Sequence, residues 1–124
     1  MMSTSPPSLH APCKAKRLRI YVGDDDTFEE QPLADQIIHK ARAMGLAGAT
    51  VTRGTLAFGP ATLELRIELR LSQDRPVVID IVDTDDKIRA FLPVVDGMVE
   101  TGLVTLETVS VLRYGRRAKP ASAG

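Results

Sequence analysis

Apolar and polar residues alternate strictly over residues 16–22, with Leu18, Ile20 and Val22 on one side and Arg17, Arg19 and Tyr21 on the other. A period of two is the mark of a strand with one wet face. The stretch GDDDTFEE at 23–30 breaks the pattern, and Pro32 then suits the first turn of a helix, where its missing N–H does no harm. Leu33, Ile37, Ile38, Ala41 and Met44 recur at helical spacing, with Asp35, Gln36, His39, Lys40 and Arg42 between them. Gly45 follows as a left-handed residue that ends the helix.

A second strand is predicted over 49–56, where Thr50, Val51 and Thr52 favour a pleated surface, and Gly59-Pro60 marks a turn. Over 63–71 Leu63, Leu65, Ile67, Leu69 and Leu71 alternate with Glu64, Arg66, Glu68 and Arg70. A helix would scatter those leucines around its circumference, so the segment reads as a strand. Residues 72–76 form a turn, and VVIDIV at 77–82 has the continuous apolar character of a buried strand. Thr84 is a natural helix cap, with Asp85 and Asp86 in the first turn facing the positive end of the dipole. Ile88, Phe91, Leu92, Val95, Met98 and Val99 make the second apolar stripe, and Pro93 inside it is expected to kink or split the helix. The last strand, 104–114, slips in its alternation between Leu106 and Val109, which predicts a bulge.

The order β-α-β-(β)-β-α-β requires both helices to bury their stripes on one face of a sheet. The fold class is therefore α+β: a ferredoxin-like split βαβ sandwich, with a mostly antiparallel sheet and two helices on one face. The 63–71 strand is surplus to a four-stranded core and is expected to extend as a ribbon or pack on a neighbouring subunit. Residues 1–15, rich in Pro and Ser, read as a disordered tail, 16–114 as the domain and 115–124 as a flexible tail.

Composition narrows the function classes. A chain of 124 residues is one domain. Its 16 Lys+Arg balance 16 Asp+Glu, which disfavours nucleic acid as a partner, because phosphate binding usually leaves a basic surplus. The single Cys13 rules out a disulfide framework and a four-Cys zinc site. With no secretory apolar region and no run long enough to span a bilayer, the expected location is cytoplasmic.

Candidate chemistry is sparse. Asp24, Asp25, Asp26, Glu29 and Glu30 lack the ligand spacing and central Gly of a calcium loop, and read as a solvated loop before a helix. His39 lies on the polar face of the first helix and His10 in the tail, neither with further ligands at metal-binding spacing. Cys13 has no neighbour that would activate it, and no nucleophile-elbow, P-loop or dinucleotide signature is present. No catalytic residue and no metal site is expected. The segment GLAGATVTRG at 45–54 carries more. Gly48 permits close backbone approach, Thr50 offers a hydroxyl and Arg53 can grip a phosphate or carboxylate with two donors. The same residues also read as an ordinary helix C-cap and turn into a strand.

With LRIYVGDDD at 18–26, PLADQIIHKARAMGLAGATVTRG at 32–54 and RPVVIDIVDTDDKIRAFLP at 75–93, the chain resembles the PII-like proteins known as a domain of unknown function. Its likeness to the nitrogen-signalling PII proteins proper is more remote and rests chiefly on fold. That resemblance implies a homotrimer that binds an adenine nucleotide or related small-molecule effector between subunits. It implies Gly48 and Thr50 as nucleotide contacts, Val77 as an apolar ligand contact and Arg113 as a phosphate-binding arginine. Arg53 and Gly54 would stand at the base of a long loop, 55–75, that addresses a target such as a membrane transporter or an enzyme. The chain departs from the PII pattern at ETGLVT, 100–105, where a Gly- and Lys-containing phosphate loop would stand, and it lacks the tyrosine-bearing loop tip. A smaller or less charged ligand fits that departure. Two functions therefore lead, a metabolite-binding regulatory protein and a ligand-independent oligomeric adaptor, while a third, metal-assisted hydrolysis at Asp24, Asp25 and Asp26, is a poor match to the ligand pattern such chemistry needs.

Overall fold

The computed structural model describes residues 9–54 and 75–115. Strand β1 (Cys13–Gly23) is followed by a two-residue hairpin of β2 (Thr27–Phe28) and β3 (Gln31–Pro32), then helix α1 (Leu33–Ala43) and strand β4 (Ala49–Arg53). Strand β5 (Pro76–Asp83), helix α2 (Asp85–Met98) and strand β6 (Leu103–Val111) complete the order. The main sheet runs β4-β5-β1-β6 with every neighbour antiparallel. This is the ferredoxin-like arrangement, two βαβ units interleaved so that parallel strands are never adjacent.

Alternation decides the faces. Leu18, Ile20 and Val22 on β1 and Val77, Ile79 and Ile81 on β5 are buried. They pack with Ile37 and Ala41 of α1 and with Ile88, Phe91 and Val95 of α2 in one aliphatic core. Phe91 is the largest side chain fully enclosed there. On the opposite sheet face Arg19 bonds Asp80 at 2.6 Å, and Arg17 pairs with Glu107.

The helix ends behave as their residues dictate. The Gly45 N–H bonds Arg42 O at 3.1 Å and the Leu46 N–H bonds Ala41 O at 3.1 Å. With Gly45 at φ +77°, this is a Schellman ending, and Leu46 packs on the core as that motif favours. The Thr84 hydroxyl accepts the Lys87 N–H at 3.4 Å and caps α2.

Four local expectations differ from the structure. β1 starts at Cys13, three residues before the alternation begins, because Cys13, Lys14 and Ala15 pair with Val111, Ser110 and Val109. That distant partner leaves no local periodicity to read. No bulge interrupts β6, whose register with β1 is continuous from Leu103 to Val111. Its alternation is blurred because an edge strand need not hide either face. Helix α2 runs unbroken through Pro93, held on both sides by Phe91 and Val95 in the core. Residues 23–30 are not wholly loop: Thr27 and Phe28 pair with Pro32 and Gln31 around Glu29 and Glu30, both at positive φ. The predicted 63–71 strand, the Gly59-Pro60 turn and the loop 55–75 up to residue 74 lie outside the described residues.

Candidate functional site

The residues singled out by sequence fall at two opposite ends of β4. Gly48 and Thr50 stand at its start, while Arg53 and Gly54 stand at its finish, where Arg53 is in register with Val77 of β5.

At the first end, the Schellman turn after α1 must run back to β4 past the junction of β5 and α2. Asp83, the last residue of β5, is fully buried at that junction. Its two carboxylate oxygens accept the Ala47 N–H and the Thr84 N–H, each at 2.7 Å. A buried carboxylate needs such donors, and here they tie the turn to the start of α2. Lys87, one turn into α2, donates to the Gly45 carbonyl at 3.0 Å. Tyr114, just beyond β6, donates its hydroxyl to the Ala47 carbonyl at 2.9 Å. Three side chains from separate parts of the fold thus converge on one short turn.

The turn borders a groove of about 340 Å³ lined by Ile38, Ala41, Arg42, Leu46, Ala47, Gly48 and Ala49. Gly48 is exposed, and a Cβ built on it meets nothing within 4 Å. Nothing within the described residues therefore demands glycine there, unlike Gly102, whose Cβ would lie 2.5 Å from the Tyr21 carbonyl oxygen. Thr50 is exposed beside Asp80 on the open sheet face. Arg113 is exposed next to Tyr114, so the tyrosine's contact with Ala47 carries it to this end of the molecule.

At the other end an ion pair and a carboxylate organise the loop after β1. Arg53 Nε donates to Asp24 Oδ1 at 3.0 Å, and the Gly54 N–H bonds the Pro76 carbonyl at 2.8 Å. Val77 is fully buried in the core. Asp26 Oδ2 accepts the Gly23 N–H at 2.8 Å, and its backbone carbonyl accepts the Leu33 N–H at 2.8 Å. Burial pushes the Asp26 carboxyl above its ordinary value, the Gly23 N–H opposes that, and the Asp25 charge adds to it. Asp25, Asp26, Phe28, Glu29, Met98 and Glu100 line an open groove of about 450 Å³. Among the described residues no three His, Cys, Asp or Glu side chains are grouped to hold a metal. Among the same residues no helix is long and apolar enough to cross a membrane.

The structure brings Gly48 and Arg113 to one end and leaves Arg53, Gly54 and Val77 at the other. Sequence reasoning missed Asp83 and Tyr114. The signal for Asp83 was an acid closing an apolar strand directly before a helix-capping threonine. Tyr114 had no such signal, because its partner lies 67 residues away.

The edge strand β6 carries exposed apolar side chains, with Leu103 at 51% and Val104 at 41% exposure. An edge of this kind offers unpaired backbone and apolar surface to another chain.

The family model DUF190, described as "Uncharacterized ACR, COG1993", matches residues 15–111. A UPF0166 protein of Aquifex aeolicus is 39% identical over 101 residues, covering 80% of this chain and 94% of that protein. A UPF0166 protein of Methanocaldococcus jannaschii is 35% identical over 80 residues, covering 64% of this chain and 74% of that protein.

Proposed function

The chain belongs to the DUF190 family, and on that premise we propose that it is a PII-like cytoplasmic regulatory protein that assembles as a homotrimer and binds a small metabolite between subunits. The observation that carries this reading is the glycine turn. Its backbone is pinned by Asp83 and Tyr114, while Gly48, Thr50 and Arg113 stay exposed around it. A pre-ordered backbone with an open glycine lets a ligand approach closely without a large ordering cost. Arg113 supplies a cation with bidentate geometry for a phosphate or carboxylate. An adenine nucleotide matches that chemistry, and with 4% aromatic residues its base would rest mainly on aliphatic and backbone surface. Ligand binding would act on a partner protein through residues 55–75, to the extent that it favours one of their conformations over another.

Isothermal titration with ATP, ADP, AMP and non-nucleotide phosphates, run beside light scattering, tests this reading. It expects a trimer mass and binding that Arg113→Ala weakens by about tenfold, the worth of one charge-assisted contact. A monomer that is silent to every compound sinks it. The second reading, a ligand-independent oligomeric adaptor, draws on the exposed apolar edge of β6. An oligomer whose partner capture no metabolite alters is its distinguishing result.

A further inference from the structure

Ala47 is held through both of its backbone polar groups, which belong to the two successive peptide planes that flank it. Its N–H goes to Asp83 Oδ2 at 2.7 Å and its carbonyl takes the Tyr114 hydroxyl at 2.9 Å. The two grips differ in kind. Asp83 is fully buried and belongs to the core strand β5, so it cannot let go without disturbing the fold. Tyr114 is 50% exposed and stands beyond the last residue of β6, on a segment with no ladder partner of its own. That segment also has Leu112 at 80% exposure, so little apolar burial holds it in place. A segment with few contacts opens at low free energy, and the hydroxyl is then its main anchor to the turn.

We infer that Tyr114 is a positioning residue: its hydroxyl clasps residues 112–115 to the Gly45–Gly48 turn, so that order in either raises order in the other. Such coupling is reciprocal by thermodynamic necessity. Whatever stabilises the turn backbone holds Arg113 in place, and whatever draws the C-terminal segment away frees the Ala47 carbonyl and loosens the turn. The clasp rests on geometry alone; its consequence, that a protein engaging the C-terminal segment lowers affinity at the turn, rests on the ligand reading proposed above.

The test is amide hydrogen exchange and carbon-13 NMR on the full chain, wild type against Tyr114→Phe, which removes one oxygen from a half-exposed ring. Exchange at Ala47, whose N–H is bonded to Asp83, is expected to quicken roughly three- to tenfold, the range of one net hydrogen bond. The Ala47 carbonyl resonance is expected to move, while the amides of β1 and β5 keep their rates. The reverse arm uses Asp83→Asn: loosening the other grip on Ala47 should move the Tyr114 ring carbon resonances, which report its hydroxyl bond, beyond any change in the central strands. An unchanged Ala47 amide in Tyr114→Phe, Tyr114 ring resonances that Asp83→Asn leaves in place, or an equal quickening across the whole sheet overturns the clasp. ATP and ADP titrations of both proteins form a separate arm. If wild type binds, Tyr114→Phe should weaken binding by the same factor seen in exchange, and equal affinities overturn the coupling. If wild type binds neither, the ligand reading loses its support while the exchange arms still decide the clasp.

Discussion

The two ends of β4 solve one problem, how to fasten a loop to a sheet, by different means. At the glycine-turn end a single carboxylate, Asp83, is fully buried and bonded to two backbone N–H groups. At the acidic-loop end Asp24 and Arg53 meet as a half-exposed ion pair, and Asp26 is half-buried with one backbone donor. Buried and doubly bonded, Asp83 makes the turn part of the core. Screened by water, the Arg53–Asp24 pair adds little to the backbone bonds, Asp24 N–H to Arg75 O and Leu33 N–H to Asp26 O, that also hold its loop.

Breaking the stronger fastening should have the largest effect. Asp83→Ala strands the Ala47 and Thr84 N–H groups and is expected to cost about 2–3 kcal/mol in urea unfolding. A loss below about 1 kcal/mol would place Asp83 on the same footing as the surface pair and erase the contrast between the two ends.

The next effect separates two glycines of one turn. Gly45 sits at φ +77°, so Gly45→Ala should cost about 1–2 kcal/mol. Gly48 has no such constraint and open space where a Cβ would go, so Gly48→Ala should stay within about 0.5 kcal/mol of wild type. Measured by thermal unfolding beside nucleotide titration, a stable Gly48→Ala protein that has lost binding would assign the glycine to the ligand. If Gly48→Ala unfolds as readily as Gly45→Ala, the glycine serves the turn instead.

Much of this contrast was legible in the amino-acid order, though unevenly. Gly45 as a helix end, Thr84 as a cap and the alternation of Leu18, Ile20 and Val22 are local patterns, set by contacts within a few residues. What escaped is long-range. Strand pairing alone draws Cys13 into β1 and keeps β6 in continuous register, and packing of Phe91 and Val95 carries α2 through Pro93. For the candidate site the residue types were readable, but their grouping was not. Arg53 reads as a neighbour of Gly48 in sequence, yet β4 holds the two apart and gives the guanidinium to Asp24.

At the acidic-loop end, Arg53→Ala removes a contact whose partners keep 49% and 38% of their side-chain exposure. Solvent screening limits such a pair to about 0.5 kcal/mol, a shift detectable in the urea midpoint at low salt and smaller at high salt. A loss that salt does not reduce would mean that Arg53 acts through packing of its stem, and the two ends would then be more alike than their charges suggest.

The smallest effect concerns Asp26 and is read against pH. Burial raises its carboxyl above 3.8 in the folded protein, so in the interval just above that value the folded chain holds more proton than the unfolded one. Stability therefore falls as pH rises through that interval and levels off once the folded group has ionised. Asp26→Asn keeps an oxygen to accept the Gly23 N–H but has no proton to lose. Its stability relative to wild type should grow as pH rises through that interval and flatten above it in paired urea titrations. Asp83→Asn offers the contrast at a single pH, because it leaves one of two bonded backbone N–H groups without its acceptor. Parallel pH curves for Asp26→Asn and wild type would show that this carboxyl is as well solvated folded as unfolded, and the half-buried end would have to be redrawn as open surface.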